Sequence, residues 1–435
     1  MEDENTEYAE NMNFVGWSDQ GGRQDGVQIN VIDGYAYIGH MFSQGFTVID
    51  VRNPENPEPV AYRKAPEGTW ALHLQAHDDL LLVVNAADLF SINKEESDYY
   101  STSSMGDYVS QFTHDFSAGL RIYDISDRAD PTEISFMPVD GTGLHRLWYD
   151  GGQYAYASAL LDGFSDYIFI VIDVSDPMVP EEVSRWWIEG MAENEEKTWS
   201  NDTRVGLHHA IIDSDNDIAY GSWRDGGLTI LDVSDPANPT LVAHRNWSPP
   251  FGGGTHTSLP LPDRDLTIVL DEAIADNCAD GIKHIWTVDT RDPSNPVPIS
   301  TFPIPNEEDY CKKGAHFGPH NLHENRSNSF QSSDLIFATY QNAGVRAYDI
   351  TNPFRPIEVG HFVPPGPNEL FDTRPNRPKV IQTTDVFVDN DGLLYLTDYN
   401  AGLYIVEFEK DLQREEPPMG DVREILDSDR SLLKE

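Results

Sequence analysis

The chain has 435 residues, 29 of them basic and 74 acidic, for a formal net charge of −45. A field of that sign excludes nucleic-acid backbones and anionic membrane surfaces as partners. With 39% hydrophobic and 11% aromatic residues the chain can bury a core, so wholesale disorder is excluded as well.

Residues 1–12 read as an acidic arm without the basic and apolar regions of a secretory signal. No later run reaches the roughly 18 apolar residues of a membrane span. The expected setting is cytoplasmic, or periplasmic or secreted if a leader has been removed. The acid excess suits a protein from a salty, halophilic environment.

From residue 13 to 408 one unit recurs. Its clearest copy is GGLTILDVSDPANPTLVAH at 226–244, matched by GFTVIDVRNPENPEPVAY at 45 and GVRAYDITNPFRPIEVGH at 344. Seven copies place an acidic residue at Asp50, Asp124, Asp173, Asp232, Asp289, Asp349 and Glu407. Each ends a predicted strand, and the Pro pair after most of them stiffens a turn. With the strands before and after, each copy makes four short antiparallel strands. Such a unit cannot cover both its faces, so copies must pack around an axis. The fold class predicted is all-β, a seven-bladed β-propeller. The last copy stops after LYIVEF, and NFVGW at 13–17 is expected to supply its missing outer strand. Residues 409–435 read as a charged tail with a short amphipathic helix.

The motifs VIDVRNPENP at 48, IYDISDRADP at 122, VIDVSDPMVP at 171, ILDVSDPANP at 230, TVDTRDPSNP at 287 and AYDITNPFRP at 347 resemble those of the LVIVD-repeat propeller proteins. The resemblance spans almost the whole chain. It implies the fold and leaves the activity open.

Aligned on the acidic residue, the units share a second position at the start of the innermost strand. It reads Gln28, His73, His145, His209, His256, His320 and Asp385. Equivalent positions in a propeller form one ring around the channel. Imidazoles converging there suit a divalent transition metal: Zn, Mn or Fe, with Cu as the alternative. His208 precedes the ring position in its own unit and is expected to curl over the rim as a catalytic, non-ligating acid or base. Glu272 and Arg224 leave second strands on the same face, Glu272 as an acid or base and Arg224 as a clamp for a substrate carboxylate. Strand alternation points Arg146 away from the channel.

The ring resembles that of metal-dependent oligogalacturonate lyases, and the surplus of histidines is similar to that of copper-cluster propellers such as nitrous oxide reductase and thiocyanate dehydrogenase. The function expected is metal-dependent hydrolysis or elimination on a small polar or anionic molecule. A multinuclear copper oxidoreductase and a binding or scaffold propeller are the alternatives. Long loops at 86–117, 273–281 and 362–380 suit a lid or a homo-oligomer contact. Cys278 and Cys311 make either one disulfide or two free thiols.

Overall fold

A computed structural model describes residues 5–89, 105–109, 116–200 and 203–409. The charged tail and most of the long 86–117 loop lie outside the described residues. The architecture is a β-propeller. Its unit is seen most simply in the fourth repeat, where His209–Asp213, Ile218–Ser222, Leu228–Asp232 and Thr240–Arg245 pair in that order, all antiparallel. By pairing, the described strands form five four-stranded sheets and one of nine strands. The second and third repeats are fused in the nine-stranded sheet, because Ala86 of Leu80–Ala87 pairs with Gly143 of Gly143–Trp148.

The N-terminus seals the circle as expected. Met12–Ser18 pairs with Leu403–Phe408 and becomes the outer strand of the last unit. The arm before it is also engaged, since Tyr8–Glu10 adds to the outer edge of Ile357–Val363 in the sixth unit. In that unit the innermost segment is irregular. Residues 320–323 are tied to Leu335–Thr339 through His320 N–H to Thr339 O, Thr339 N–H to Asn321 O and His323 N–H to Phe337 O.

The repeated Asp does one job. Asp50, Asp124, Asp173, Asp232, Asp289 and Asp349 each accept the backbone N–H two residues on, at 2.7–3.1 Å. This local bond starts the turn into the outer strand. Every third–outer strand pair also carries a register shift at the same place, such as Ile230/Leu231 and Val48/Ile49. One extra residue there increases the strand twist. Where a glycine opens a third strand, as it does in five of the units, close backbone approach requires it. At Gly227, with φ +79°, a Cβ would sit 2.3 Å from Arg245 O, and at Gly45, with φ +70°, 2.0 Å from Arg63 O.

The core lies between the faces of neighbouring units. Trp186 of the third packs edge-on against Trp223 of the fourth, with ring centroids 5.5 Å apart. Each fully buried aliphatic there contributes about 1.5–3 kcal/mol. Innermost strands touch their neighbours around the axis, as between Ile29–Ile32 and both Leu74–His77 and Thr383–Val388. Among the described residues no helix is long and apolar enough to cross a membrane. Cys278 and Cys311 are joined in a disulfide that ties the 273–281 loop to the short helix Tyr310–Lys313.

Candidate functional site

The inner strands deliver polar side chains to the axis, but not as one ring at one depth. Three of them break register at the ring position: between Leu144 and Leu147, between Thr255 and Thr257, and between Thr383 and Val386. A bulge re-aims side chains and suspends strict alternation. Adjacent residues then face the same way. This corrects the expectation for Arg146, which turns inward with its terminal nitrogen 3.3 Å from His256 Nε2.

One cluster gathers His145, His208, His256, His320, Glu272 and Arg224. His145 Nε2 lies 2.9 Å from His208 Nε2. The His208 and His256 rings stack at 3.7 Å, and His256 and His320 follow at 4.6 Å. Glu272 closes the group, with Oε2 3.8 Å from His256 Nε2 and Oε1 3.5 Å from His320 Nε2. Ligand atoms of His208, His256 and Glu272 all lie within 4.8 Å of one another. All these residues are buried except His145, which is partly exposed and forms the open side.

The outward nitrogens of three of these histidines are committed. His320 Nδ1 meets Thr384 O at 2.6 Å, His208 Nδ1 meets His256 O at 3.3 Å, and His256 Nδ1 meets Thr257 Oγ1 at 2.8 Å. A carbonyl only accepts, so Nδ1 carries the proton in His320 and His208 and each Nε2 presents a lone pair. In His256 the guanidinium of Arg146, which only donates, faces Nε2, so Nε2 is the acceptor there too. This is the tautomer that metal-ligating histidines require.

Arg224 does not wait for a substrate as expected. Its guanidinium is hydrogen-bonded to Glu272, and both are buried. Its backbone has φ +48°, an uncommon conformation for a side chain of this size. His208, expected at the rim, stands inside the cluster.

A second group lies along the axis. His209 is beside His73, with ring centroids 5.6 Å apart, and its Nε2 is 3.1 Å from Glu324 Oε1. Gln75 donates to Glu324 Oε2 at 3.1 Å, and Arg326 also reaches that carboxylate. Gln28, His73 and Asp385 stitch units together. Gln28 Oε1 accepts Leu74 N–H at 2.8 Å, His73 Nδ1 accepts Leu147 N–H at 3.2 Å, and Asp385 Oδ2 accepts Ile29 N–H at 3.0 Å. Of the seven ring residues, only His145, His256 and His320 enter the first cluster. Glu324 and Arg326 were missed in the sequence. The available signal was the spacing His320–Glu324, four residues along one segment.

Burial sets the protonation states. Desolvation, then nearby Arg and His groups, holds His73, His145, His208 and His256 well below the usual imidazole value. His320 falls to about 4, again by burial first, with Glu272 pulling the other way. Burial pushes Glu272 up, but Arg224 and His320 more than offset it and leave it below the usual carboxylate range. Burial lifts Asp385 to about 7, although Arg146 opposes the rise. The site is therefore neutral imidazoles around an ionised carboxylate.

A cleft of about 740 Å³ lies elsewhere, lined by residues 160–165 and 190–193 with Phe116 and Lys197. None of the clustered histidines lines it.

The family model for the LVIVD repeat matches residues 25–60, 105–137 and 217–246. The chain carries LVIVD repeats. No curated protein matches the whole LVIVD-repeat chain or part of it. Among solved structures it is similar to a hypothetical selenium-binding protein from Sulfolobus tokodaii, with TM-score 0.55 and 14% identity over 84% of this chain and 82% of that one. At that identity the likeness carries the propeller fold alone.

Proposed function

We propose that the chain is a metal-dependent enzyme acting on a small anionic organic molecule by hydrolysis or elimination. One divalent transition ion would be held by His208, His256 and Glu272, with His320 beside them. The observation that supports this is the tautomer set: the Nδ1 sides of His208, His256 and His320 are held by protein oxygens, which leaves their Nε2 atoms inward, those of His256 and His320 at 3.8 and 3.5 Å from the Glu272 carboxylate and that of His208 at 2.9 Å from His145 Nε2. Ligand atoms spaced within 4.8 Å need only slight closure to reach the roughly 3.3 Å separation of tetrahedral donors at 2.0–2.1 Å from zinc. Imidazole with one carboxylate suits Zn, Mn or Fe.

When bound, the ion would supply Lewis acidity to a carbonyl or carboxylate oxygen, or lower the pKa of water. The chain supplies the rest. Arg224 fixes Glu272 and balances its charge in a buried site. His145, on the open side, offers a neutral imidazole to take a proton from the bound molecule or from water. The disulfide between Cys278 and Cys311 favours an oxidising compartment over the cytoplasm.

Metal analysis of the purified, metal-replenished protein tests the reading. One ion per chain, lost in His256→Ala with the fold retained by circular dichroism, is expected. No bound ion, or an ion retained in both His256→Ala and His208→Ala, overturns it. Two or three copper ions per chain would instead favour a redox centre, for which the close His145–His208 pair provides the extra donors.

A further inference from the structure

Arg146 is the feature of the axis left without a use. It is 2% exposed, yet its guanidinium makes only the 3.3 Å contact to His256 Nε2, and its Nε has no hydrogen-bond partner among the described residues. Glu272, Glu324 and Asp385 act on it electrostatically, but none is hydrogen-bonded to it. The charge is thus compensated from a distance while the donors stay free. An ordinary structural arginine behaves otherwise. Arg346, equally buried, spends its guanidinium on Glu307, Glu358, Tyr310 and Ala343 O.

A second donor accompanies it. His73 Nδ1 accepts Leu147 N–H, so in the neutral ring Nε2 carries the hydrogen, and that atom too is buried without a partner. Leu147 follows Arg146 in sequence, which puts the two side chains on adjoining units beside the histidine cluster. Buried donors left unpaired are costly and rare, so the retention of these two calls for an occupant.

We infer that Arg146, assisted by His73 Nε2–H, is the anchor for a carboxylate group of the substrate, beside the proposed metal ligands. The planar guanidinium fork matches a planar carboxylate. This rests on the proposed function for the meaning of "substrate" and assigns the anchor that Arg224, bound to Glu272, does not provide.

The test is a calorimetric titration of acetate, and separately of inorganic phosphate, into metal-replenished and chelator-treated protein. Metal content is measured in parallel. Wild type should bind acetate in preference to phosphate. Arg146→Gln should weaken acetate by about ten- to a hundredfold, the loss of a charge-assisted pair, while metal content stays as in wild type. Arg146→Lys keeps the charge without the fork and should fall between them. It also serves if the Gln variant does not fold. Acetate binding unchanged in both variants overturns the inference, as does a wild type that binds only phosphate or neither anion. A wild type without metal whose acetate binding still depends on Arg146 sinks the metal reading and leaves the anchor standing.

Discussion

The outer turns and the axis are built from the same repeat and use it in opposite ways. At the outer turns one residue type makes one bond six times, from Asp50 to Asp349. At the axis one position holds His, Gln or Asp and makes different bonds in different units. Gln28, His73 and Asp385 bond the backbone of the next unit. His256 and His320 instead turn their Nε2 atoms to Glu272. Repetition marks what holds the propeller together, and departure from it marks where chemistry has been concentrated.

The largest effect should come from breaking a departure. Glu272→Ala would leave Arg224 buried without its counter-charge, a loss of about 3–5 kcal/mol. The double variant with Arg224→Met should recover most of it. Urea unfolding midpoints of the metal-free proteins decide this. A single variant as stable as wild type would mean that the pair does not hold the site together.

Next comes the disulfide, which pins loops of the fifth and sixth units beside the cluster. It closes a segment of 33 residues. Reduction should cost about 2–4 kcal/mol. A thiol assay on the denatured, unreduced protein should find no free thiol, and two free thiols would refute the pairing.

The stitches come third. Gln28→Ala should cost about 1–3 kcal/mol, because Leu74 N–H is left buried without an acceptor. Asp385 adds a pH signature. Its folded value, about 7, lies above the 3.8 of an ordinary aspartate, so the folded state holds more protons between those values. Stability from this group is therefore greatest below about pH 4 and declines as pH rises through 7. Asp385→Asn keeps an oxygen for Ile29 N–H and should remove that decline, gaining up to about 4 kcal/mol at pH 8 and nothing near pH 4. Parallel melting curves of metal-free proteins across that range test it. A difference that does not grow with pH would argue against the buried carboxyl.

The fold was legible because it rests on local signals repeated many times. Each Asp–turn bond spans two residues, and the closing strand 13–17 resembles the strands it replaces. The site was only half legible. The repeat register found His145, His256 and His320, since a register is what a repeat conveys. It misplaced His208 and Arg146, because bulges at the axis are set by packing between units and leave no local mark. It gave Arg224 a free guanidinium, because the pairing with Glu272 joins residues 48 apart on separate units. Glu324 lay outside the aligned position and went unnoticed.

The smallest effect should belong to the most conspicuous motif. Asp232→Ala removes one bond to Ser234 N–H in an exposed turn, where water replaces the lost acceptor and five similar turns remain. The bonds to Ser234 hold the Asp232 carboxyl below its usual value, so its contribution is present above the ordinary aspartate pKa and fades as pH falls through the depressed one. The melting temperature at pH 7 should fall by less than in Gln28→Ala, and metal content should not change. If Asp232→Ala instead matched Glu272→Ala in its cost, or lost the metal, the division between a repeating frame and a departing axis would fail. The turn would then transmit strain through Leu228–Asp232 and Ile218–Ser222 to His209 at the head of the same unit.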